Sequence, residues 1–387
     1  MTSLSTAGWT VAAVGDIMLG RGLQKIYEAK GADHFFRAAS GLLGGADVVF
    51  GNLEAPLTNA SQPNSPLKVG DDPFLRADPR AAEALARAGF NAMSLANTHI
   101  NDFGSEGIES TRAALHASGI SYTGAGQGQR QAREPATWTR GAQRLALLAY
   151  TDHYVLAAKQ WGVAPLRLPL MIRDVRALRR RGFRVIVSIH TGIDFCDYPF
   201  PFTIRLARSL VDAGADLVLG HHPHVLQGWE RYRGGVILYS LGNFVFDEAD
   251  FDLVAADFSR SSNAKRLGLT YQPTDSRPVD SVVFRCRLTE SGVEGVEFLP
   301  VRINLEGQPV PLQGSAAREL LSRFEEISSH FQDPHFGEWE RLEELFLDVS
   351  VGELMGQPGA VLRRLHRVRP RHLRHLSQWL ARRIGRS

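Results

Sequence analysis

The chain of 387 residues is long enough to bury a substantial core, either as one large domain or as a main domain with a smaller appendage. Hydrophobic residues make up 44% of it and charged residues 22%, and no apolar run approaches the roughly 18 residues that a membrane-spanning helix needs. No Lys or Arg precedes Arg21, so the basic start of a secretory signal is missing. These features exclude an integral membrane protein and predict a cytoplasmic, globular one.

Charge is distributed unevenly along the chain. The formal net charge is +3, but residues 361–387 contain nine arginines and no acidic residue, which leaves −6 for the residues before them. Leu, Val and Trp379 are interleaved with these arginines, a pattern typical of a basic amphipathic helix. This basic tail is predicted either to contact a membrane surface or a protein peripherally, or to be a solvated terminal helix. Nucleic acid is not an expected partner.

Short apolar runs alternate with amphipathic helical patterns up to about residue 245. The predicted strands are, in chain order, TVAAV, DVVF, AMSLA, LALLAY, VIVSI, DLVLG and VILYS. Helices are predicted between them at DPRAAEALARAGF and SEGIESTRAALHASG. Strands and helices that alternate at this spacing predict a layered α/β fold.

The pattern changes after residue 250. Residues 250–275 lack periodicity and are predicted to form a long surface loop. The segments DSVVFRCRLTE and GVEGVEFLPVRIN are then predicted to pair as a β-hairpin at a sheet edge, followed by a polar helix at GSAARELLSRFEEISSHF. We predict a main domain of residues 1–310 and a C-terminal helical extension of residues 311–387 that ends in the basic tail.

Polar side chains capable of binding a metal follow the predicted strands one after another. They are Asp16, Asn52, Glu54, Asn97, His99, His190, His222 and His224. A single Asp after a strand is more often a turn former or a helix cap, so the prediction rests on the set. Open α/β sheets gather ligands at the carboxyl ends of their strands, and mixed oxygen and imidazole donors suit Mn²⁺, Fe²⁺ and Zn²⁺. Because the only cysteines, Cys196 and Cys286, are far apart, a thiolate zinc site is not indicated.

The segment GHHPH, residues 220–224, contains three histidines that could bind a metal. His222 and His224 are two residues apart, so in an extended segment their side chains face the same side, and His221 points elsewhere. Pro223 stiffens the backbone between them. With His190 after the preceding strand, this spacing favours His222 and His224 as metal ligands.

Six motifs occur in order within residues 11–247: GDIMLGR, GNLEAPLT, SLANTHINDFG, VSIHTGIDF, GADLVLGHHPHVLQGWE and ILYSLGNFVFD. Together they resemble the CapA family, whose named members take part in the synthesis of a poly-γ-glutamate capsule. That family is in turn similar to the calcineurin-like metallophosphoesterases. The resemblance implies a metallophosphatase-like, four-layer αββα sandwich with a two-metal site at one end.

The resemblance also implies a role for each polar residue. His99 is predicted to be catalytic, by protonating a leaving group or stabilising developing charge. Two divalent metal ions (Mn, Fe or Zn) are predicted, with Glu54 in the bridging position, and the full set of predicted ligands is Asp16, Asn52, Glu54, Asn97, His190, His222 and His224. Arg21, Asp194 and Asn243 are predicted substrate contacts, although a helix-start Arg and a turn-forming Asn are equally good interpretations of Arg21 and Asn243.

Three positions depart from the pattern of these families. Met18 stands where the superfamily has a His, and Thr98 stands where CapA proteins usually have a second Asn before the catalytic His. The segment HTGID, residues 190–194, replaces HWG-x-E and shortens the acid to Asp194. The first two departures weaken the prediction of one of the two ions, and the third predicts altered substrate contacts.

The predicted function is the metal-dependent hydrolysis of a phosphoester or of a γ-glutamyl or peptide-type compound through a dinuclear site. The substrate is expected to be a small molecule or a polyanionic polymer. Two alternatives remain. One is a non-hydrolytic accessory role in building a poly-γ-glutamate capsule, and the other is a degenerate binding module on the same fold.

Overall fold

The computed structural model describes residues 8–64, 74–152, 160–247, 279–333, 335–337 and 339. The chain divides into two compact units, and the larger one, which holds both main β-sheets, comprises Met1–Pro199, Thr203–Ala249 and Thr274–Phe331. The loop predicted at residues 250–275 and the basic tail lie outside the described residues, and the boundary at residue 310 stays a prediction. None of the described helices has the length and apolar character needed to span a bilayer.

The elements of the described residues are as follows. The strands are β1 Trp9–Ile17, β2 Val48–Leu53, β3 Ala92–Ser94, β4 Ser121–Thr123, β5 Ala125–Gln127, β6 Ala136–Arg140, β7 Gln143–Thr151, β8 Trp161–Val163, β9 Phe183–His190, β10 Leu217–His221, β11 Trp229–Tyr232, β12 Gly235–Leu238, β13 Asn243–Val245, β14 Asp280–Thr289, β15 Gly292–Ile303 and β16 Pro309–Pro311. The α-helices are α1 Leu23–Lys30, α2 Asp33–Phe36, α3 Ser40–Leu43, α4 Ala81–Arg87, α5 Gly104–Ala117, α6 Gly128–Ala132, α7 Leu168–Arg180, α8 Pro201–Ala213 and α9 Gly314–Ser329, and a 3₁₀ turn covers His330–Gln332.

The first sheet has the strand order β16-β15-β14-β1-β2-β3-β4, with β13 also paired to β1. Strands β1 to β4 are parallel, and β14 runs antiparallel to β1. β14 pairs with β1 only from Trp9 to Ala13, and β13 takes over that side of β1 from Asp16 onward. Asn243 therefore lies beside Asp16, whose other neighbour in register is Asn52 on β2.

The second sheet has the order β11-β12-β10-β9-β7-β6, and its four central strands are parallel. The register places His221 at the end of β10 beside His190 at the end of β9. Both sheets thus end, at the carboxyl termini of their central strands, in residues that can bind a metal ion.

Four layers result from the alternation of side chains along these strands. One face of each sheet contributes to a shared buried cluster, which includes Val11 and Phe50 from the first sheet and Leu147 and Leu219 from the second. Because side chains alternate, the remaining apolar residues point to the outer faces. There, Val14 and Val49 of the first sheet share a cluster with helical residues from α1, α4 and α5.

Helices α7 and α8 lie on the outer face of the second sheet. Helix α7 packs on β9, and the side chain of Val211 in α8 lies against the backbone of Gly235 at the start of β12. The predicted α/β fold with four αββα layers is therefore confirmed.

All seven predicted strands are confirmed, as β1, β2, β3, β7, β9, β10 and β12, and the two predicted helices are α4 and α5. The predicted hairpin is β14–β15, and the polar helix after it is α9. The hairpin lies at the edge of the first sheet, as predicted, except that the unpredicted strand β16 pairs with the last three residues of β15. The sequence PVP is too short and too proline-rich to be recognised as a strand.

Candidate metal centre

Asp16 stands at the meeting point of the two sheets. It is fully buried near the end of β1, where Asn52 Nδ2 donates a hydrogen bond to Asp16 Oδ1 at 2.9 Å. From the second sheet, His221 Nδ1 donates to Asp16 Oδ1 at 3.1 Å, and the backbone N–H of His222 donates to Asp16 Oδ2 at 3.3 Å. Burial alone would raise the pKa of this carboxyl, but the hydrogen bond and charge of His221, the charge of His224 and the Asn52 hydrogen bond hold it below its ordinary value.

Glu54 is the second buried carboxylate of the site. It follows β2, its residue is 1% exposed, and its Oε1 lies 3.4 Å from His190 Nε2 and 3.9 Å from His224 Nε2. Ligand atoms of Glu54, His222 and His224 all lie within 4.8 Å of one another, which is close enough for a single metal ion to contact all three. Glu54 therefore occupies the middle of the histidine cluster.

The loop after β10 does not have the extended backbone that the sequence predicts. His222 has φ 101° and His224 has φ 58°, so the segment is not extended. For residues that carry a Cβ, these conformations cost of order 1–3 kcal/mol each and persist only where the surrounding structure imposes them. The prediction of an extended segment is wrong, although both rings do reach one site, with centroids 6.1 Å apart.

Polar side chains hold two of these histidines in place. His224 Nδ1 donates a hydrogen bond to Asn243 Oδ1 at 2.8 Å, which leaves Nε2 with its lone pair on the side of Glu54. Asp194 Oδ1 lies 3.4 Å from His222 Nε2. A carboxylate or carbonyl oxygen on the outer nitrogen of a histidine is the usual way in which proteins orient a metal-binding imidazole. The predicted substrate contacts of Asn243 and Asp194 stay predictions.

Arg21, the third predicted substrate contact, lies between β1 and α1 in a left-handed conformation with φ 54°. It is half-buried, and its backbone oxygen accepts a hydrogen bond from the N–H of Gln24 at 3.0 Å. Its contact with substrate also stays a prediction.

His99 lies next to the centre and is paired with an acid. Its Nδ1 donates to Asp102 Oδ2 at 2.9 Å, and the same carboxylate oxygen accepts the N–H of Leu75 at 2.6 Å. Asp102 is fully buried, whereas the side chain of His99 is 14% exposed. The pair leaves Nε2 as the nitrogen of His99 that can exchange a proton with a bound molecule.

The chemistry of these donors fits divalent metal ions. Two buried carboxylates face a group of imidazoles, and buried carboxylates are stable in proteins when they are paired or coordinate a metal. Glu54, His222 and His224 could hold one ion, with Asp16 on the His224 side of this group and His190 on the Glu54 side. A mixed nitrogen and oxygen set suits Mn²⁺, Fe²⁺ or Zn²⁺.

Met18 supplies no strong ligand on the Asp16 side of the site. The residue is fully buried, and its Sδ accepts a hydrogen bond from the N–H of Gly20 at 3.1 Å. A thioether is a soft, weak ligand for these ions. The Asp16 half of the centre is therefore poorer in donors than a site with a histidine at residue 18.

Comparison with known sequences identifies the family. The model of the bacterial capsule synthesis protein family, PGA_cap, matches residues 10–248, which include every predicted site residue. The chain belongs to this family. The capsule biosynthesis protein CapA of Bacillus anthracis is 31% identical over 81% of this chain and 72% of its own length.

Two further proteins are similar to the chain over most of its length. The PGA biosynthesis protein CapA of Bacillus subtilis (strain 168) is 30% identical, with 79% of this chain and 74% of that protein covered. A probable polyglutamine synthesis accessory protein of Mycobacterium tuberculosis is 29% identical over 75% of this chain and 89% of its own. A solved structure of a hypothetical protein from Thermus thermophilus aligns with a TM-score of 0.45 and 16% identity, over 76% of this chain and 99% of that one.

Two residues that support the site in this PGA_cap protein are not among the predicted ligands or substrate contacts. His221, predicted to point away from the ligands as a supporting or structural residue, donates to Asp16. Asp102 holds His99, and its position three residues after His99 in the sequence is consistent with this contact. The partner of His221 has no such signal, because the contact joins residues 205 positions apart in the sequence.

Proposed function

We propose that this protein is a metal-dependent hydrolase with a dinuclear centre, and that it acts on an anionic compound linked to capsule or exopolymer synthesis. The observation that carries the proposal is the convergence of Asp16, Glu54 and three histidines from the ends of four strands beside the His99–Asp102 pair. A purely structural role gives no reason to bury two carboxylates among imidazoles next to a half-buried, acid-paired histidine.

His99 is the residue proposed to move a proton. With Nδ1 held by Asp102, its Nε2 can donate a proton to a leaving group, as a general acid does. Asp102 keeps the ring in one tautomer and stabilises its charged form. Divalent ions held by Asp16, Glu54 and the histidines would activate water and stabilise the negative charge that develops during hydrolysis.

The proposed substrate is a γ-glutamyl or peptide-type compound, or a phosphoester. Support for the first class comes from relatives named for PGA biosynthesis and for polyglutamine synthesis. Arg21 would contact a carboxylate or phosphate of the substrate through its guanidinium group. Both a small anionic molecule and a polyanionic polymer offer such a group.

The test measures both the metal content of the protein and its hydrolytic activity. The purified protein is expected to contain Mn, Fe or Zn by plasma mass spectrometry, and to hydrolyse either bis(p-nitrophenyl) phosphate or γ-glutamyl-p-nitroanilide. EDTA should abolish this activity and Mn²⁺ should restore it. His222→Ala should lose both metal and activity, while His116→Ala, on the exposed face of α5, should lose neither. If the purified protein contains no metal, and if EDTA and Mn²⁺ do not change its activity, the proposal is wrong.

A second candidate is a non-hydrolytic accessory role in building the polymer. It is favoured by Met18, which removes a donor from the Asp16 half of the centre, and by the accessory name of the mycobacterial relative. In that case poly-γ-glutamate should bind to the metal-loaded protein without being shortened. Chromatography of the polymer after long incubation separates the two functions, because hydrolysis lowers its mass and binding does not.

A further inference from the structure

The amide of Asn97 is already occupied by the chain itself. Its Oδ1 accepts the backbone N–H groups of His99 at 3.2 Å and Ile100 at 3.0 Å. Its Nδ2 donates to the backbone oxygen of Leu53 at 2.7 Å and to Asn52 Oδ1 at 3.3 Å. An amide has two donor hydrogens and two acceptor lone pairs, so these four contacts use its whole capacity. Asn97 shapes the loop that carries His99 and ties it to β2.

The hydroxyl of Thr98 faces the histidines instead. Thr98 Oγ1 lies 2.9 Å from His190 Nε2 and 3.5 Å from His222 Nδ1. His190 Nε2 in turn lies 3.4 Å from Glu54 Oε1. The hydroxyl oxygen is therefore surrounded by side chains that are themselves candidate ligands.

These separations suit hydrogen bonds, and they also suit atoms that share one metal ion. Around an ion with metal–ligand bonds of about 2.0–2.2 Å, neighbouring ligand atoms are about 2.8–3.6 Å apart, from right angles to tetrahedral angles. The three distances of 2.9, 3.4 and 3.5 Å all fall in this interval. Threonine and serine hydroxyls serve as ligands to divalent ions elsewhere, as in phosphate-binding loops that hold Mg²⁺.

We propose that the Thr98 hydroxyl, and not the Asn97 amide, is the oxygen ligand that completes the half of the centre formed by Glu54, His190 and His222. The inference rests on the proposed function only in requiring that the centre binds divalent ions. It gives Thr98, a departure from the family pattern, a direct role in holding metal.

The experiment measures metal affinity, not turnover. Mn²⁺ is titrated by calorimetry into wild-type protein, Thr98→Val and Thr98→Ser, each first stripped of metal. Thr98→Val keeps the side-chain shape and removes the oxygen, whereas Thr98→Ser keeps the oxygen. The affinity for one ion should fall by about 10-fold or more in Thr98→Val and change by less than about threefold in Thr98→Ser. The visible absorption of bound Co²⁺ should change only in Thr98→Val.

Three outcomes overturn the inference. If wild-type protein binds two ions and Thr98→Val binds them equally well, Thr98 is not a ligand, although the proposed function stands. If Thr98→Ser loses as much affinity as Thr98→Val, the methyl group and not the oxygen matters. If wild-type protein binds no divalent ion, both the inference and the proposed function fail. Thermal unfolding of the metal-free variants checks the fold, and Thr98→Ala replaces Thr98→Val if the latter does not fold.

Discussion

Many side chains in this site are oriented by a hydrogen bond from a neighbouring side chain. His221 illustrates the arrangement, because its ring is fully buried, with Nδ1 donating to Asp16 and the ring centroid 5.6 Å from that of Phe50. Nε2 of His221 has no hydrogen-bond partner among the described residues. The ring therefore contributes one hydrogen bond to the centre and otherwise behaves as part of the core between the sheets.

We predict that His221→Phe keeps the fold and weakens metal binding. Phenylalanine fills a similar volume beside Phe50, but the carboxylate of Asp16 loses the donor that orients it. Loss of such a supporting hydrogen bond typically lowers metal affinity by about 10- to 100-fold. Calorimetric titration with Mn²⁺ measures the change, and circular dichroism checks the fold. Unchanged affinity in a folded variant would show that Asn52 and the His222 N–H suffice to hold Asp16.

The two cysteines should differ sharply in reactivity. Burial raises the pKa of Cys286 to about 12, so almost no thiolate forms at pH 8, whereas Cys196 is partly exposed. We expect Ellman's reagent to label one thiol in the native protein at pH 8 and two after denaturation. Mass spectrometry should find the native label on Cys196. Equal labelling rates for both thiols in the native state would contradict this expectation.

At the scale of elements, the pairing of β13 with β1 determines the position of Asp16. The N–H of Asp16 donates to the backbone oxygen of Gly242 at 2.9 Å, and a Cβ on Gly15 would lie only 1.9 Å from that same oxygen. Glycine at residue 15 thus allows β13 to approach β1 where β14 stops. The approach brings Asn243 beside Asp16 and within reach of His224.

Gly15→Ala should therefore destabilise the protein and disturb the centre. The added methyl group cannot be accommodated without separating β13 from β1, and such overpacking costs about 1–3 kcal/mol or more. Gly44→Ala is the matched control, because residue 44 has φ −62° and a Cβ there meets nothing closer than 3.9 Å. The control should change the free energy of unfolding by less than about 0.5 kcal/mol. Urea unfolding of both variants measures the difference, and equal stabilities would refute the prediction.

The same scale shows how much the sequence could predict. Strands such as β9 and β10 are almost continuously apolar and buried on both faces, so their pattern is strong. Strands β4, β5 and β8 have three residues each and were missed, because so short a run has no period. The candidate ligands were predicted by their places after strands, but the left-handed backbone at His222 and His224 was not. Histidine adopts positive φ more often than most residues with a side chain, but only in a small minority of cases, so the sequence does not place it at these two positions.

At the scale of the whole molecule, buried polar networks connect the layers. Arg208 on α8 donates two hydrogen bonds of 2.8 Å to the carboxylate of Glu230 on β11, and Tyr239 donates to Glu230 Oε1 at 2.5 Å. Arg208 also donates to the backbone oxygen of Phe331, just beyond α9. This network attaches the segment after α9 to the second sheet. In a similar way, Tyr150 on β7 donates to Asp174 of α7 at 3.0 Å.

These tyrosines predict a loss of stability at high pH. Burial, together with the charge of Glu230 for Tyr239 and of Asp174 for Tyr150, raises the pKa of both phenols well above the ordinary value. Above pH 10 the unfolded chain releases these protons and the folded chain keeps them, so the free energy of unfolding falls as pH rises. The fall should be about 1.4 kcal/mol per pH unit for each tyrosine.

Urea unfolding at pH 9, 10 and 11 measures this slope. In Tyr150→Phe the free energy of unfolding should fall less steeply with pH than in the wild type, because one of the two tyrosines no longer contributes. This should hold even if the variant is less stable at every pH. A variant slope equal to that of the wild type would show that Tyr150 ionises alike in the folded and unfolded chains.

The division of the ligands between the two sheets has a consequence for the life of the protein. Asp16 and Glu54 come from the first sheet, and His190, His222 and His224 come from the second. An ion held by both groups is a cross-link through the sandwich, and it stabilises the folded chain in proportion to the logarithm of its free concentration. On our proposal, cells starved of the metal would contain a looser protein that proteases remove sooner, so the abundance of the protein would follow metal supply without any change in its synthesis.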